Sequence, residues 1–439
     1  MPKNERRTIF GWSMYDWANS AYVTTVVAGL LPSYFARVIV GPEEVQIGNI
    51  AVSAVSLWAY MIGFAAFLSF LFAPVLGAIS DFSSAKRKFL FSFAYTGSIF
   101  TILLYFCQSG DVWQTVVIFI ITQVGYVSAN VFYDAFLPQI ASEDKLDRVS
   151  AKGFTFGYVG GGLQFAIALG LVAGYKIIGI EQALAARIGL TMAGLWWAGF
   201  TLCTLKLLRE DEHREEIPEK HRSKPLILAY IAIGVERTLK TARKVRQFKH
   251  LLLFLIAFMI YNDGIQTVIT MASSYGADEL KLSVTVLMVT LLVIQIIAAA
   301  GAALFGWLGD RIGTKRAVML SLVLWSGVVT YAYFLHSATE FFVLGVIVGV
   351  VLGGSQALSR SLYGSMVPEE ASAEFYGFYS VFAKFSAIWG PLAFGVIRHV
   401  TGTARLSIIS LMVFFIVGLI LLSFVNEEKA RQAKFMGAF

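Results

Sequence analysis

Five charged residues stand inside apolar segments of this 439-residue chain: Asp16, Asp134, Asp263, Arg360 and Lys384. A charge at the middle of a bilayer costs about 2.5–3.5 kcal/mol on insertion scales, so each marks a place where the chain uses charge. A carboxylate there can carry a proton or hold an amine, while a guanidinium or ammonium can hold a carboxylate. These groups equip a protein for binding and proton exchange.

Their neighbours extend the pattern. On a helical wheel Trp12, Tyr15, Asp16, Asn19 and Tyr22 fall within about 120° of one another. Asp16 is then either a solvated interfacial group, two turns past Arg6 and Arg7, or part of a face lining a cavity; the continuation of the stripe to Tyr22 favours the cavity. Asn262, Asp263, Gln266 and Thr270 make a similar stripe, with Asp263 about 20 Å of helix beyond His250, close to a midplane. Gln123, Asn130, Tyr133 and Asp134 share a third face, and Gln356, Ser359, Arg360 and Tyr363 a fourth. Lys384 is followed by Trp389.

The roles these types suggest are as follows. Arg360 and Lys384 anchor a substrate carboxylate, with Tyr15, Asn19, Tyr22, Asn130, Tyr133, Asn262, Gln266, Gln356 and Trp389 lining the site. Asp16, Asp263 and Asp134 take a proton or an amine. Two rival readings stand beside these: Asp134 and Arg360 as a gate salt bridge, and Lys384 with Asp263 as a fixed structural bridge.

The elements that carry these residues follow from composition. Hydrophobic residues make up 57% of the chain and charged ones 14%, with mean hydropathy +0.70. Soluble domains run near 45–50% and about 25%. The expected class is an all-α polytopic membrane protein. A ruler of roughly 20 residues per span predicts twelve transmembrane helices, at 10–36, 54–79, 88–108, 112–138, 152–176, 184–207, 248–273, 283–308, 316–335, 339–366, 373–397 and 405–425. The basic N-terminus is read as the start of a retained first helix, since Asp16 and Asn19 interrupt the apolar run and no cleavage pattern follows.

Lysines and arginines concentrate in alternate connections, among them "SSAKRK", "SEDKLDR", "DRIGTKR" and the tail "EEKARQAK", which predicts cytoplasmic termini. The net charge of +7 is therefore read as topology and not as a nucleic-acid surface. The polar interval 208–247 divides a six-helix half, 1–207, from a second, 248–439, and its "LILAYIAIGVERTLKTARKVRQ" suits a helix on the membrane surface. Two cysteines, Cys107 and Cys203, and five scattered histidines offer no metal or nucleophile constellation, so neither cofactor nor enzyme chemistry is expected.

The halves echo one another. "GAISDFSSAKRK" from Gly77 returns as "GWLGDRIGTKRA" from Gly306, "YDAFLP" as "YGSMVP", and "MYDWANS" as "IYNDGIQ". Asn130 corresponds to Arg360, an asymmetry suited to an asymmetric substrate. Ordered echoes of this kind indicate two parallel six-helix repeats, as in alternating-access transporters. In the echoing loops Gly77 and Gly306 allow close helix approach, Asp81 and Asp310 can cap or pair, and Arg87, Arg311 and Arg316 anchor; these seven would govern switching between states.

"GWLGDRIGTKR" resembles the signature loop of the major facilitator superfamily, although in the first copy Phe82 follows Asp81 where a basic residue is usual. "SMYDWANSAY" and "FLPQIASEDKLDRVSAKGFTFGYVGGG" are similar to the branch containing the yeast vacuole effluxer linked to autophagy and its bacterial relatives. That resemblance implies a secondary transporter and, for the eukaryotic members, export of amino acids from the vacuole; for a bacterial member the substrate does not follow from it. The charged residues inside the spans add the expectation of a monomeric carrier of a small solute, such as an amino acid, with protons as a further partner, in a bacterial inner membrane. The aromatic content motivates the alternative of an exporter of amphipathic or lipid-like compounds.

Overall fold

Long apolar helices dominate the chain because, in hydrocarbon, every backbone N–H and C=O must be satisfied within the segment. The computed structural model describes residues 3–41, 45–47, 50–52, 54–210, 217–222, 225–244, 248–282, 284–386, 389–401 and 403–436. Among these, eleven helices are long and apolar enough to cross a membrane. The first six spans are α1 (Arg6–Val40), α2 (Ala54–Ser83), α3 (Lys86–Leu103), α4 (Val112–Ala135), α5 (Leu146–Ala173) and α6 (Gln182–Leu207). Then come α7 (Lys249–Asp278), α8 (Val284–Ile312), α9 (Thr314–Tyr333) and α10 (Ala338–Met366). The eleventh predicted span, 373–397, is two shorter helices, α11 (Ser372–Phe385) and α12 (Trp389–Thr401), and α13 (Ala404–Ser423) follows. With α11 and α12 taken together, the described helices match the twelve predicted spans.

Pro391 stands in the first described turn of α12, a place where a proline's missing N–H is tolerated. In α1 the stretches Tyr22–Leu30 and Phe35–Val40 wind as π-helix, on either side of Pro32. A two-stranded antiparallel hairpin, β1 (Val45–Ile47) and β2 (Ile50–Val52), joins α1 to α2. The connector helix Leu226–Lys244 packs on α2, with Gly234 against Val75 and Ile79 and Arg237 over the Phe82 ring at 5.0 Å.

The two sets of helices meet along two seams, α5 with α8 and α10, and α11 with α2 and α4. The glycines of α5 serve the packing of α1: a Cβ on Gly157 would lie 2.7 Å from Ser20 Oγ, and one on Gly161 2.9 Å from Ser20 O. In the echoing loops Gly313, with φ of 91°, and Ser84, with φ of 46°, both take positive φ. The end of the bundle bearing these loops and both termini is called the basic end below.

Candidate functional site

Arg360 sits six residues before the end of α10, about 9 Å from the basic end. It is buried and spends its guanidinium entirely on the other half of the molecule. Nη1 donates to Asp16 Oδ2 of α1 at 3.3 Å and to Asp134 Oδ1 of α4 at 3.1 Å. Nε donates to Ser150 Oγ of α5 at 3.0 Å and Nη2 to Ser150 O at 2.8 Å. Its flat face lies 4.1 Å from the Phe154 ring centroid and 5.0 Å from that of Trp12. A planar, weakly hydrated fork suits such a place, where a lysine would reach one partner only.

Asp16 is held from a second side. The Tyr133 hydroxyl donates to Oδ2 at 2.7 Å, and the Tyr133 ring stacks on Trp12 with centroids 4.5 Å apart. Trp12 Nε1 donates to the Tyr133 carbonyl at 2.8 Å, and Tyr15 packs on the same ring at 5.1 Å. Gly153 is required by this packing, because a Cβ there would lie 2.8 Å from both Arg360 Nη2 and Asp16 Oδ2. The polar stripe of α1 thus faces other helices, and Asp16 is buried. The cluster contains two carboxylates and one guanidinium. One positive charge does not balance both carboxylates.

Most other predicted residues pair within one half, Gln356 being an exception. Asn19 Nδ2 donates to Asn130 Oδ1 at 2.7 Å and the Tyr22 hydroxyl to Gln123 Oε1 at 2.8 Å, both between α1 and α4. Tyr261 and Ser359 share a hydroxyl contact at 2.6 Å, and Asn262 donates to the Ser386 hydroxyl. Gln356 accepts from the Tyr158 hydroxyl across the seam, and Gln266 is half-buried on α7.

Asp263 does not join Arg360. Its Oδ1 accepts the Gly390 N–H at 2.9 Å, so it caps the N-terminus of α12, and Thr267 packs beside it. That is a carboxylate at the positive end of a helix. Trp389, the first residue of α12, is 59% exposed and stands outside the cluster. The side chain of Lys384 lies outside the described residues.

The echoing loops lock the basic end from both sides. Asp81 forms a buried pair with Lys86 at 2.6 Å and accepts the Glu374 N–H at 2.9 Å, capping α11 of the opposite half, while Gly77 lets α2 approach Ala373. In the second copy Asp310 pairs with Arg148 of α5, Thr314 donates to Asp147 Oδ2 at 2.7 Å, and Gly306 abuts Ala151. Ser361 of α10 donates to the other oxygen of Asp147. Arg87 donates to Leu205 O at 2.5 Å within its own half, Arg311 lies over Trp307 at 4.4 Å, and Arg316 is exposed. Beyond the spans, Glu210 accepts the N–H groups of Lys86 at 2.8 Å and Arg87 at 2.9 Å; burial pushes its carboxyl up, against the pull of those donors.

Sequence reasoning passed over Ser150, Phe154 and Asp147. The first two carry no charge, and Asp147 sits in "SEDKLDR", which reads as a solvated loop.

The model of the family described as vacuole effluxer Atg22 like matches residues 4–434. An uncharacterized MFS-type transporter of Bacillus subtilis, YxiO, is 32% identical over 419 residues, spanning 95% of this chain and 94% of that one. Autophagy-related protein 22 of Kluyveromyces lactis is 24% identical over 481 residues, 98% of this chain and 96% of its own. Among solved structures, the human organic anion transporter MFSD10 (TETRAN) superposes with a TM-score of 0.67 at 14% identity, over 96% of this chain and 100% of that one. The transporter FucP in its outward conformation does so with 0.67 at 12% identity, over 96% and 98%. At such identities these two likenesses speak for the fold.

Proposed function

Because the chain belongs to the Atg22-like family of vacuole effluxers, within the major facilitator superfamily of secondary transporters, we propose that it carries a small zwitterion such as an amino acid by alternating access, in exchange with protons. The observation that carries this reading is the set of four bonds from Arg360 to Asp16, Asp134 and Ser150 of the opposite half. Bonds between halves at one end must break when that end opens, so the cluster is a gate in its closed state.

The gate is short of one positive charge. A proton on Asp134 or Asp16 loosens its hold on Arg360, and a substrate carboxylate can then take the freed donors. Proton and solute thereby act on one guanidinium, which couples them. The positive-inside rule supports a cytoplasmic basic end, in a bacterial inner membrane, as part of this reading. In it, the helices before and after 208–247 act as the two rocking bodies.

The test is flux of labelled amino acids in proteoliposomes with an imposed pH gradient. Flux is expected to follow the gradient and to vanish in Arg360→Ala. Transport of amphipathic dyes in place of amino acids, or indifference to the gradient, overturns the reading.

A further inference from the structure

The α5–α8 seam at the basic end contains a recess of about 290 Å³. Its floor is small, Ala151, Ala303 and Gly306, and the Trp307 indole forms one wall. Arg148 and Lys152 stand at its rim, with the Arg148 side chain 66% exposed. Arg311 adds a third cation over the Trp307 ring at 4.4 Å. Lys152 rests over the Phe156 ring at 5.7 Å. Against these three stand two carboxylates. Asp310 pairs with Arg148, and Asp147 is turned inward to the Ser361 and Thr314 hydroxyls. The mouth therefore keeps a positive excess.

From the recess two apolar stripes run toward the membrane centre. On α5, Lys152, Phe156, Val159 and Leu163 share a face, with Val159 43% and Leu163 47% exposed. On α8, Trp307, Leu304 and Ile296 do the same, with Leu304 50% and Ile296 61% exposed. Eleven residues from Lys152 to Leu163 rise about 16 Å. That matches the roughly 15 Å of hydrocarbon in one leaflet.

We propose that this recess binds an anionic glycerophospholipid, its phosphate among Lys152, Arg148 and Arg311 and one acyl chain along the two stripes. A soluble anion would use the cations and leave the stripes idle. Cation rim and apolar track in continuity fit a phospholipid, and basic pockets between membrane helices recur as headgroup sites. Lys152 belongs to the first six helices and Arg311 to the last six. A headgroup bound between them ties the two halves together at the basic end and holds the gate closed.

The experiment is native mass spectrometry of the purified full-length protein, offered palmitoyl-oleoyl phosphatidylglycerol against phosphatidylcholine with the same chains. Phosphatidylglycerol is expected to be retained at least about tenfold better, falling about fivefold for each cation removed in K152Q and R311Q. Both variants leave the Arg148–Asp310 pair intact, and monodisperse elution reports their fold. Ala303→Leu fills the floor without changing charge and is expected to release the lipid too. Equal retention of the two lipids, or retention unchanged in all three variants, overturns the proposal. So does displacement of the lipid by inorganic phosphate or glycerol phosphate at equal concentration, which would make the recess a soluble-anion site. None of these readouts depends on what the protein transports.

Discussion

Asp16 and Asp263 are the same residue type, both buried, each on the first helix of its six-helix set. Their partners differ in kind. Asp16 accepts from a guanidinium that comes from the other half and from the Tyr133 hydroxyl. Asp263 accepts a backbone N–H from α12, in its own half. A bond within a half survives a rocking motion, whereas a bond between halves cannot. Depth in the membrane marks both residues as costly, and only the partner separates a working charge from a structural one.

The sharpest way to break this distinction is Arg360→Ala. It strands the buried Asp16 beside the half-buried Asp134, a loss of about 3–5 kcal/mol for the closed state. Flux should fall by about a hundredfold or more, and thermal stability with it. Arg360→Lys should rescue little, since Nε, Nη1 and Nη2 serve different partners. A double variant, Arg360→Gln with Asp134→Asn, should recover stability while flux stays lost, because no unpaired charge remains save Asp16 with its Tyr133 donor.

Next come the carboxylates. Asp16→Asn and Asp134→Asn should each abolish the response of flux to a pH gradient while leaving counterflow measurable. Asp16→Asn is the more damaging, by about tenfold in flux, as it alters the Tyr133 contact as well as the Arg360 one. Counterflow lost along with the gradient response would show that both act in binding.

Gly153→Ala tests the geometry without touching a charge. The added Cβ must push Arg360 or Asp16 aside, so flux is expected to drop about tenfold in an otherwise folded protein, as small misplacements do at working sites. Wild-type flux in Gly153→Ala would mean the cluster tolerates rearrangement and is no tight gate.

How far the sequence reaches is visible in these same residues. Hydropathy alone locates the spans: 112–138 was expected where α4 runs Val112–Ala135, and 339–366 where α10 runs Ala338–Met366. Arg360 and Asp134 are legible as a pair because charges are costly in hydrocarbon and their depths match. Ser150 and Gly153 are not, since a hydroxyl and a hydrogen atom cost little there and only proximity to Arg360 gives them meaning. The eleventh span carries a written signal, Gly390–Pro391, hidden by apolar residues on both sides. When it is overlooked, Asp263 reads as a lone deep aspartate and the Gly390 N–H that it accepts goes unseen.

Asp263→Asn is therefore the smallest expected effect and the most pointed comparison. An amide oxygen still accepts the Gly390 N–H, and the charge lost is one that favours the helix terminus by about 0.3–1 kcal/mol. Asp263→Ala removes the acceptor, a cap loss of about 0.5–2 kcal/mol. In a chain of this size either change lowers Tm by a few degrees at most. Flux should stay within about twofold of wild type and keep its response to the pH gradient, since α7 and α12 move as one body. If Asp263→Asn instead uncouples flux from the gradient while Asp16→Asn does not, the deep carboxylate is the proton site and the Arg360 cluster only a lock.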